Sequence, residues 1–380
     1  MLLSAIKVFS GGFLMKKIVK VLMGAFALAL VASAAFAGGK KDTAVDVGIV
    51  LPTKDEPRWI QDETQFLKEL EGKAGVSLLF SQGDSGKEKQ NVEALLNKGI
   101  KVLIICPQDA AAAAGAVESA KKDGVTVICY DRLITGTDAV DYYVTFDSVA
   151  VGEAQGKFLV DHLKPGSKGN SLYLYAGASS DNNAFLFFEG AWNILQPKIA
   201  DGTFIIRNSD KAVALQDKAT LSHEEEGTIL NQITTNWDFN EAKKKAADNL
   251  TMASSAEKGD CFILAPNDGT ARSIADEFAK DPAVTSYIIT GQDSEVASVQ
   301  YIIDGKQTMT VWKNTKTLAH DAIEMATAVL AGKTPATTGF YDNGVKKVPA
   351  KQTAVTVITK ENVHLLTDSG YIKPDQLTGL

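Results

Sequence analysis

Charged and amide side chains recur at one kind of place in this chain, directly after apolar, strand-like runs. Arg58 and Trp59 come after the run 45–51, Asp131 and Arg132 after 125–130, and Asp181, Asn182 and Asn183 after 172–175. Asn267 and Asp268 come after 261–265, Asp293 after 287–290, and Lys313 after 308–312, while Trp237 precedes a helical pattern at 241–253. Lys54, Gln108 and Asp109 occupy similar positions. Each also has an ordinary reading. Asn, Asp and their neighbours cap helices, Asp131–Arg132 makes a turn pair, Arg58 and Lys313 can be solvated, and tryptophans fill cores.

Taken together, these residues define one chemistry. Carboxylates accept hydrogen bonds from vicinal hydroxyls, arginine and lysine donate to hydroxyl or ring oxygens, and an indole face covers an apolar C–H face. Hydrogen bonds to charged groups contribute about 1.5–3 kcal/mol each. The set suits a neutral, polyhydroxylated small molecule. At 267–268 the expectation is a division of labour, with Asn267 toward the ligand and Asp268 holding the start of the following helix.

The elements that must position these groups alternate. Apolar, β-branched runs at 45–51, 76–80, 102–106, 125–130 and 142–146 are separated by helical periodicity at 59–70, 87–98 and 110–122. The pattern restarts at 152–163 and continues through strands at 172–175, 204–207, 261–265, 287–290, 308–312 and 355–358. Strand and helix at this spacing mean βαβ units on parallel sheets. Two doubly wound α/β units in tandem are expected, with strand-end loops facing a cleft, since ligands of open α/β sheets bind at the carboxyl ends of strands. The segment Asn208–Asn236, with Glu224-Glu225-Glu226, reads as an irregular surface insertion.

Several chemistries are disfavoured. There is no G-x-G-x-x-G after the first strand and no G-x-x-x-x-G-K-[ST], hence no nucleotide-phosphate loop. A G-x-S-x-G elbow is also missing. The four histidines lack metal-ligand spacing and read as surface residues. Cys106, Cys129 and Cys261 sit in apolar runs and read as small core residues. Net charge is −7 with no basic block, which speaks against nucleic acid. No metal or cofactor is expected.

The amino end reads as an export signal. Lys16, Lys17 and Lys20 precede an apolar stretch 21–35 and the small-residue site Ala35-Phe36-Ala37-Gly38. Residues 1–37 are therefore expected to be removed near Ala37/Gly38, with Met15 an alternative start and no cysteine for a lipid anchor.

Longer stretches carry a resemblance. They are Pro52-Thr53-Lys54 with Arg58-Trp59, Tyr130-Asp131-Arg132-Leu133-Ile134, Thr145-Phe146-Asp147 with Val151-Gly152, and Asp181-Asn182-Asn183-Ala184. Asn236-Trp237-Asp238, Thr290-Gly291-Gln292-Asp293-Ser294-Glu295, Asn343-Gly344-Val345 with Val348-Pro349, and Asp368-Ser369-Gly370-Tyr371 follow. In this order the chain resembles the periplasmic sugar-binding proteins of bacterial ABC importers, in the ribose/galactose/xylose cluster, nearest the xylose and multiple-monosaccharide branch.

The resemblance implies a periplasmic-binding-protein fold of two lobes with three crossings, near 146–148, 310–313 and 349–353. The lobes would be 45–146 plus 313–349 and 147–312 plus 350–380. Arg58, Trp59, Asp131, Arg132, Asp181, Asn183, Trp237, Asn267, Asp293 and Lys313 would line the cleft. It further implies a monomeric, non-catalytic periplasmic receptor for an aldopyranose. The partners would be a membrane permease and a chemotaxis or sensor receptor. Phe188 stands where xylose binders of the branch carry arginine, which favours a hexose or mixed-sugar site. The competing readings are the same fold binding a nucleoside, polyol or furanose, and an exported carbohydrate-active enzyme.

Overall fold

The computed structural model describes residues 44–380; the expected export signal, 1–37, lies outside the described residues. The first half alternates as its apolar runs dictate: β1 Val47–Leu51, α1 Pro57–Leu70, β2 Val76–Phe80, α2 Ser85–Leu96, β3 Val102–Ile105, α3 Ala114–Lys122, β4 Thr126–Tyr130 and β5 Tyr142–Phe146. There follow α4 Ser148–Asp161, β6 Asn170–Leu174, α5 Asn182–Ala200, β7 Phe204–Ile206, α6 Asp210–Ala214, α7 His223–Ile233 and α8 Phe239–Met252. The remainder comprises β8 Gly259–Leu264, α9 Asp268–Phe278, β9 Val284–Ile289, α10 Val296–Ile303, β10 Thr310–Trp312, α11 Thr315–Leu330, β11 Gly339–Asp342, β12 Lys347–Thr353, β13 Thr356–Ile358 and α12 His364–Asp368.

These strands build a seven-stranded sheet, β11-β12-β5-β4-β3-β1-β2, parallel except for the β11–β12 hairpin, and a parallel four-stranded sheet, β7-β6-β8-β9. β10 and β13 pair antiparallel as a separate ribbon. Successive strand residues point to opposite faces. Ile128 and Tyr130 of β4 therefore join the core under α1 and α11, with Phe66, Leu318 and Ile323. Val127 and Cys129 join the opposite core under α2 and α3, with Val92, Leu95 and Val117. In β6, Leu172 and Leu174 meet α5 and α7, while Tyr173 meets α8 and α9.

Helices α4 and α5 cross with their backbones nearly touching. A Cβ at Gly152 would lie 1.9 Å from the Phe187 carbonyl oxygen, and one at Gly190 2.1 Å from that of Val149. Only glycine permits this approach. The crossing sets where α5 begins, and its start carries Asp181 and Asn183.

Two sequence expectations are corrected. The 208–236 segment is not an irregular insertion. It holds α6 and α7, and α7 starts on a capping box in which Ser222 and Glu225 satisfy each other's backbone N–H groups. The three glutamates occupy its first turn, where the helix dipole favours negative charge, and Ile229, Leu230 and Ile233 are buried. Secondly, residues 339–353, not read as strands, form a hairpin. Asn343 shapes it by accepting from the Val345 and Lys346 amides and donating to the Ile134 and Thr137 carbonyls. Its strand β12 pairs with β5 as far as Thr353. The three cysteines are buried and free, and the four histidines are exposed, both as the sequence reads.

Candidate functional site

The strand ends of the two large sheets meet around one cavity. It is lined by Glu56, Arg58, Trp59, Asp131, Arg132, Asp181, Asn183, Phe187, Trp237, Asn267, Gln292, Asp293 and Lys313. The ten residues that the resemblance implies for the cleft are all among the lining. Lys54 is instead exposed and paired with Glu63, Gln108 donates its backbone N–H to Glu88, and Asp109 caps a turn by accepting from the Ala111 and Ala112 amides.

The loop after β4 is built under constraint. Asp131 has φ of 63°, a left-handed conformation uncommon for residues other than glycine, though Asp tolerates it better than most. Tyr143 and Asn183 both donate to its carbonyl, at 2.7 and 2.8 Å. Trp237 and Asp293 also have positive φ, 60° and 102°. Three lining residues thus hold backbone conformations that persist only when their surroundings enforce them, a feature that clusters at functional sites.

The charges interlock across the cavity. Arg58 Nη2 donates to Asp131 Oδ2 at 2.6 Å, Arg58 Nη1 lies 3.6 Å from Asp293 Oδ1, and Lys313 Nζ lies 2.8 Å from that same oxygen. Arg132 Nε meets Asp181 Oδ2 at 2.8 Å. Burial alone would push the Asp131 carboxyl up, but Arg58 and Lys313 outweigh it and hold it below the usual carboxylate range. For Asp181 and Glu56 burial wins over Arg132, and both are raised.

The two tryptophans differ. Trp59 is buried, with the Arg58 and Arg132 guanidinium carbons 4.6 and 5.2 Å from its ring centroid. It is a platform for two cations, an arrangement worth more when desolvated. Trp237 is half-buried and lies against Gly177, where a Cβ would sit 2.0 Å from the indole. Phe187 meets Trp237 edge-on at 6.3 Å. Trp237 Nε1 and Gln292 Oε1 have no hydrogen-bond partner among the described residues.

The division expected at 267–268 is corrected. Asn267, not Asp268, caps α9: its Oδ1 accepts from the Thr270 hydroxyl at 2.6 Å and the Thr270 amide at 3.4 Å. Asn267 therefore both caps the helix and lines the cavity. Asp268 is fully buried behind it, accepting from Gln307 Nε2 at 2.8 Å and the Glu295 amide at 2.9 Å. It ties the start of α9 to the loops around β9 and β10, and burial raises its carboxyl well above the usual range.

Sequence reading missed Glu56, Phe187 and Gln292. Glu56 precedes the Pro57-Arg58-Trp59 start of α1, and Gln292 lies inside the stretch 290–295 already singled out; both carried a signal. Phe187 did not, because periodicity alone does not separate it from its neighbour. The structure turns Phe188 into the core against Trp192, so the departure noted at Phe188 falls outside the cavity lining.

The family described as "Periplasmic binding protein domain" matches residues 47–334. The chain is similar to the multiple sugar-binding periplasmic receptor ChvE of Rhizobium radiobacter, at 35% identity covering 93% of this chain and 97% of that one. It is similar to the D-xylose-binding periplasmic protein of Escherichia coli at 29% identity, covering 88% and 92%. Its structure resembles a carbohydrate transporter solute-binding protein from Chloroflexus aurantiacus in complex with D-glucose. There the TM-score is 0.87 and the identity 62%, covering 88% of this chain and 99% of that one.

Proposed function

The chain belongs to the periplasmic binding protein domain family, and we propose that it is a receptor that captures an aldopyranose of the glucose, galactose, xylose or arabinose type and delivers it to the permease of an ABC importer. It performs no chemistry on its ligand. It works in the periplasm, and residues 1–37 serve as the export signal, cleaved near Ala37/Gly38. A sensor or chemoreceptor that reads the sugar-bound form is a second partner.

One observation carries this reading. A small cavity draws buried carboxylates and cations from the strand ends of both sheets, with an indole and a phenyl ring beside them. Asp131, Asp181 and Asp293 would accept from sugar hydroxyls, while Arg58, Arg132 and Lys313 would donate to hydroxyl and ring oxygens. Asn267 Oδ1 is engaged by Thr270, which leaves its Nδ2 as the group for the ligand. Trp237 would cover an apolar face of the ring.

The two sheets would form two lobes. The first contains the seven-stranded sheet together with α11, whose Leu318, Ala322 and Ile323 enter that sheet's core. The second contains the four-stranded sheet. The chain would cross between them after Phe146, around Lys313 and after Thr353, because β12 stays with β5 to Thr353. A sugar touched by both lobes stabilises the closed form, which supplies the differential affinity that hinge closure requires.

Trp59 argues against a nucleoside, since two guanidiniums already occupy its surroundings. Thermal-shift screening of the mature chain with aldoses beside nucleosides, polyols and furanoses separates the readings. A rise in midpoint with an aldopyranose is expected. A rise only with a nucleoside would replace the sugar assignment.

A further inference from the structure

Asp62 is fully buried one helical turn below Arg58 and does not line the cavity. Its charged contact is Arg58 Nε, at 3.5 Å. Neither of its carboxylate oxygens has a hydrogen-bond partner among the described residues. A buried carboxylate so poorly satisfied is costly to keep ionised.

The guanidinium it faces is shared. Arg58 presents Nε to Asp62, Nη2 to Asp131 and Nη1 to Asp293. Asp62 and Asp131 belong to the first lobe, while Asp293 follows β9 of the second. The cavity itself holds the cations Arg58, Arg132 and Lys313 against the carboxylates Glu56, Asp131, Asp181 and Asp293. An ionised Asp62 adds to an excess of negative charge. Besides Arg58 on its own helix, the titratable groups that act on Asp62 are Tyr130 and Asp131 at the end of β4, Lys313 after β10, and Tyr371 of the carboxyl-terminal tail.

We propose that Asp62 is a positioning residue for Arg58 whose proton couples sugar affinity to pH: ionised in the open receptor, it takes up a proton from solvent as the lobes close on the sugar. The inference rests on the receptor reading above. Closure brings Asp293 to Arg58, so that Asp62 loses part of its partner, which favours the protonated carboxyl. With Asp131 and Asp293 both on Arg58, burial outweighs that partner and pushes the Asp62 carboxyl up to about 7. The sugar-bound form then holds more protons than the free form, so affinity rises as pH falls through the neutral range.

The test is calorimetric titration of the full mature protein with D-glucose, D-galactose, D-xylose and L-arabinose from pH 5.5 to 8.5, in phosphate and in Tris. A neutral aldose does not titrate in this range, so any slope belongs to the protein. Wild type is expected to weaken by roughly three- to tenfold between pH 6 and 8, with net proton uptake near pH 7. Asp62→Asn, an isosteric neutral side chain, is expected to bind with little pH dependence, while Glu226→Gln, which removes a raised carboxyl outside the cavity lining, keeps the slope. A merely structural Asp62 would change affinity or melting temperature equally at every pH. A flat wild-type profile, a slope that survives Asp62→Asn, or one abolished by Glu226→Gln alone overturns the inference while leaving sugar binding intact. Failure to bind any of these sugars at any pH overturns the receptor reading and this coupling with it.

Discussion

Arg132 Nε lies 2.8 Å from Asp181 Oδ2, both side chains being almost fully buried. Arg132 follows β4 of the seven-stranded sheet, and Asp181 caps α5, which packs on the four-stranded one. The pair spans the cavity and holds both charges ready for a ligand that both sheets would contact.

Arg132→Ala is therefore expected to weaken aldose binding about a hundredfold or more. Truncating one partner of a buried, hydrogen-bonded charge pair costs about 2–5 kcal/mol, and each 1.4 kcal/mol is tenfold. Lys316→Ala is the matched control. Lys316 is exposed and donates to the Gly370 carbonyl, and its loss leaves affinity unchanged within error. Calorimetry on both variants reads the difference.

Gly177→Ala tests the indole. The added methyl collides with the Trp237 ring, so the ring must shift while the backbone, which has no positive φ at 177, need not. Affinity is expected to fall at least about tenfold, with tryptophan fluorescence altered and melting temperature changed little. Unchanged affinity would place Trp237 outside the ligand's reach.

Gly190→Ala tests the helix crossing instead. Its methyl meets the Val149 carbonyl oxygen, and overpacking of this kind costs about 1–3 kcal/mol. Thermal unfolding is expected several degrees lower. An unaltered midpoint would show that α4 and α5 can separate freely.

Glu226, buried in α7 and facing Glu189, has its carboxyl pushed up to about 8 by burial first and by that neighbour second. The sign follows from linkage. A carboxyl with a folded value above its unfolded value of about 4.3 binds more protons folded than unfolded across that interval, so its contribution to stability falls as pH rises from there toward 8. Glu226→Gln should match wild type in melting temperature near pH 4 and exceed it by a few degrees at pH 8. Parallel profiles would contradict the assignment.

Much of this was legible before the structure. Apolar β-branched runs such as 102–106 and 125–130 can hardly be anything but buried parallel strands, and the polar residues at their ends follow from where such strands stop. The hairpin at 339–353 was not legible, because Lys347, Pro349 and Lys351 interrupt any apolar alternation and Asn343 shapes the turn through long-range partners. Glu224–Glu226 misled by looking like a loop when they begin a helix. In the site, residue type at strand ends found the charged lining except Glu56, but not Phe187, whose direction is set by the glycine-mediated approach of α4 and α5.

Residues from both sheets are expected to grip one neutral sugar. Titration calorimetry of the mature wild-type protein and of Arg132→Ala and Asp181→Ala, against D-glucose, D-galactose, D-xylose and L-arabinose, tests it most directly. Saturable one-to-one binding of at least one of these sugars, lost or weakened about a hundredfold in both variants although they stand at the ends of different sheets, is the predicted result. No binding to any of the four, or full affinity in either variant, would contradict it.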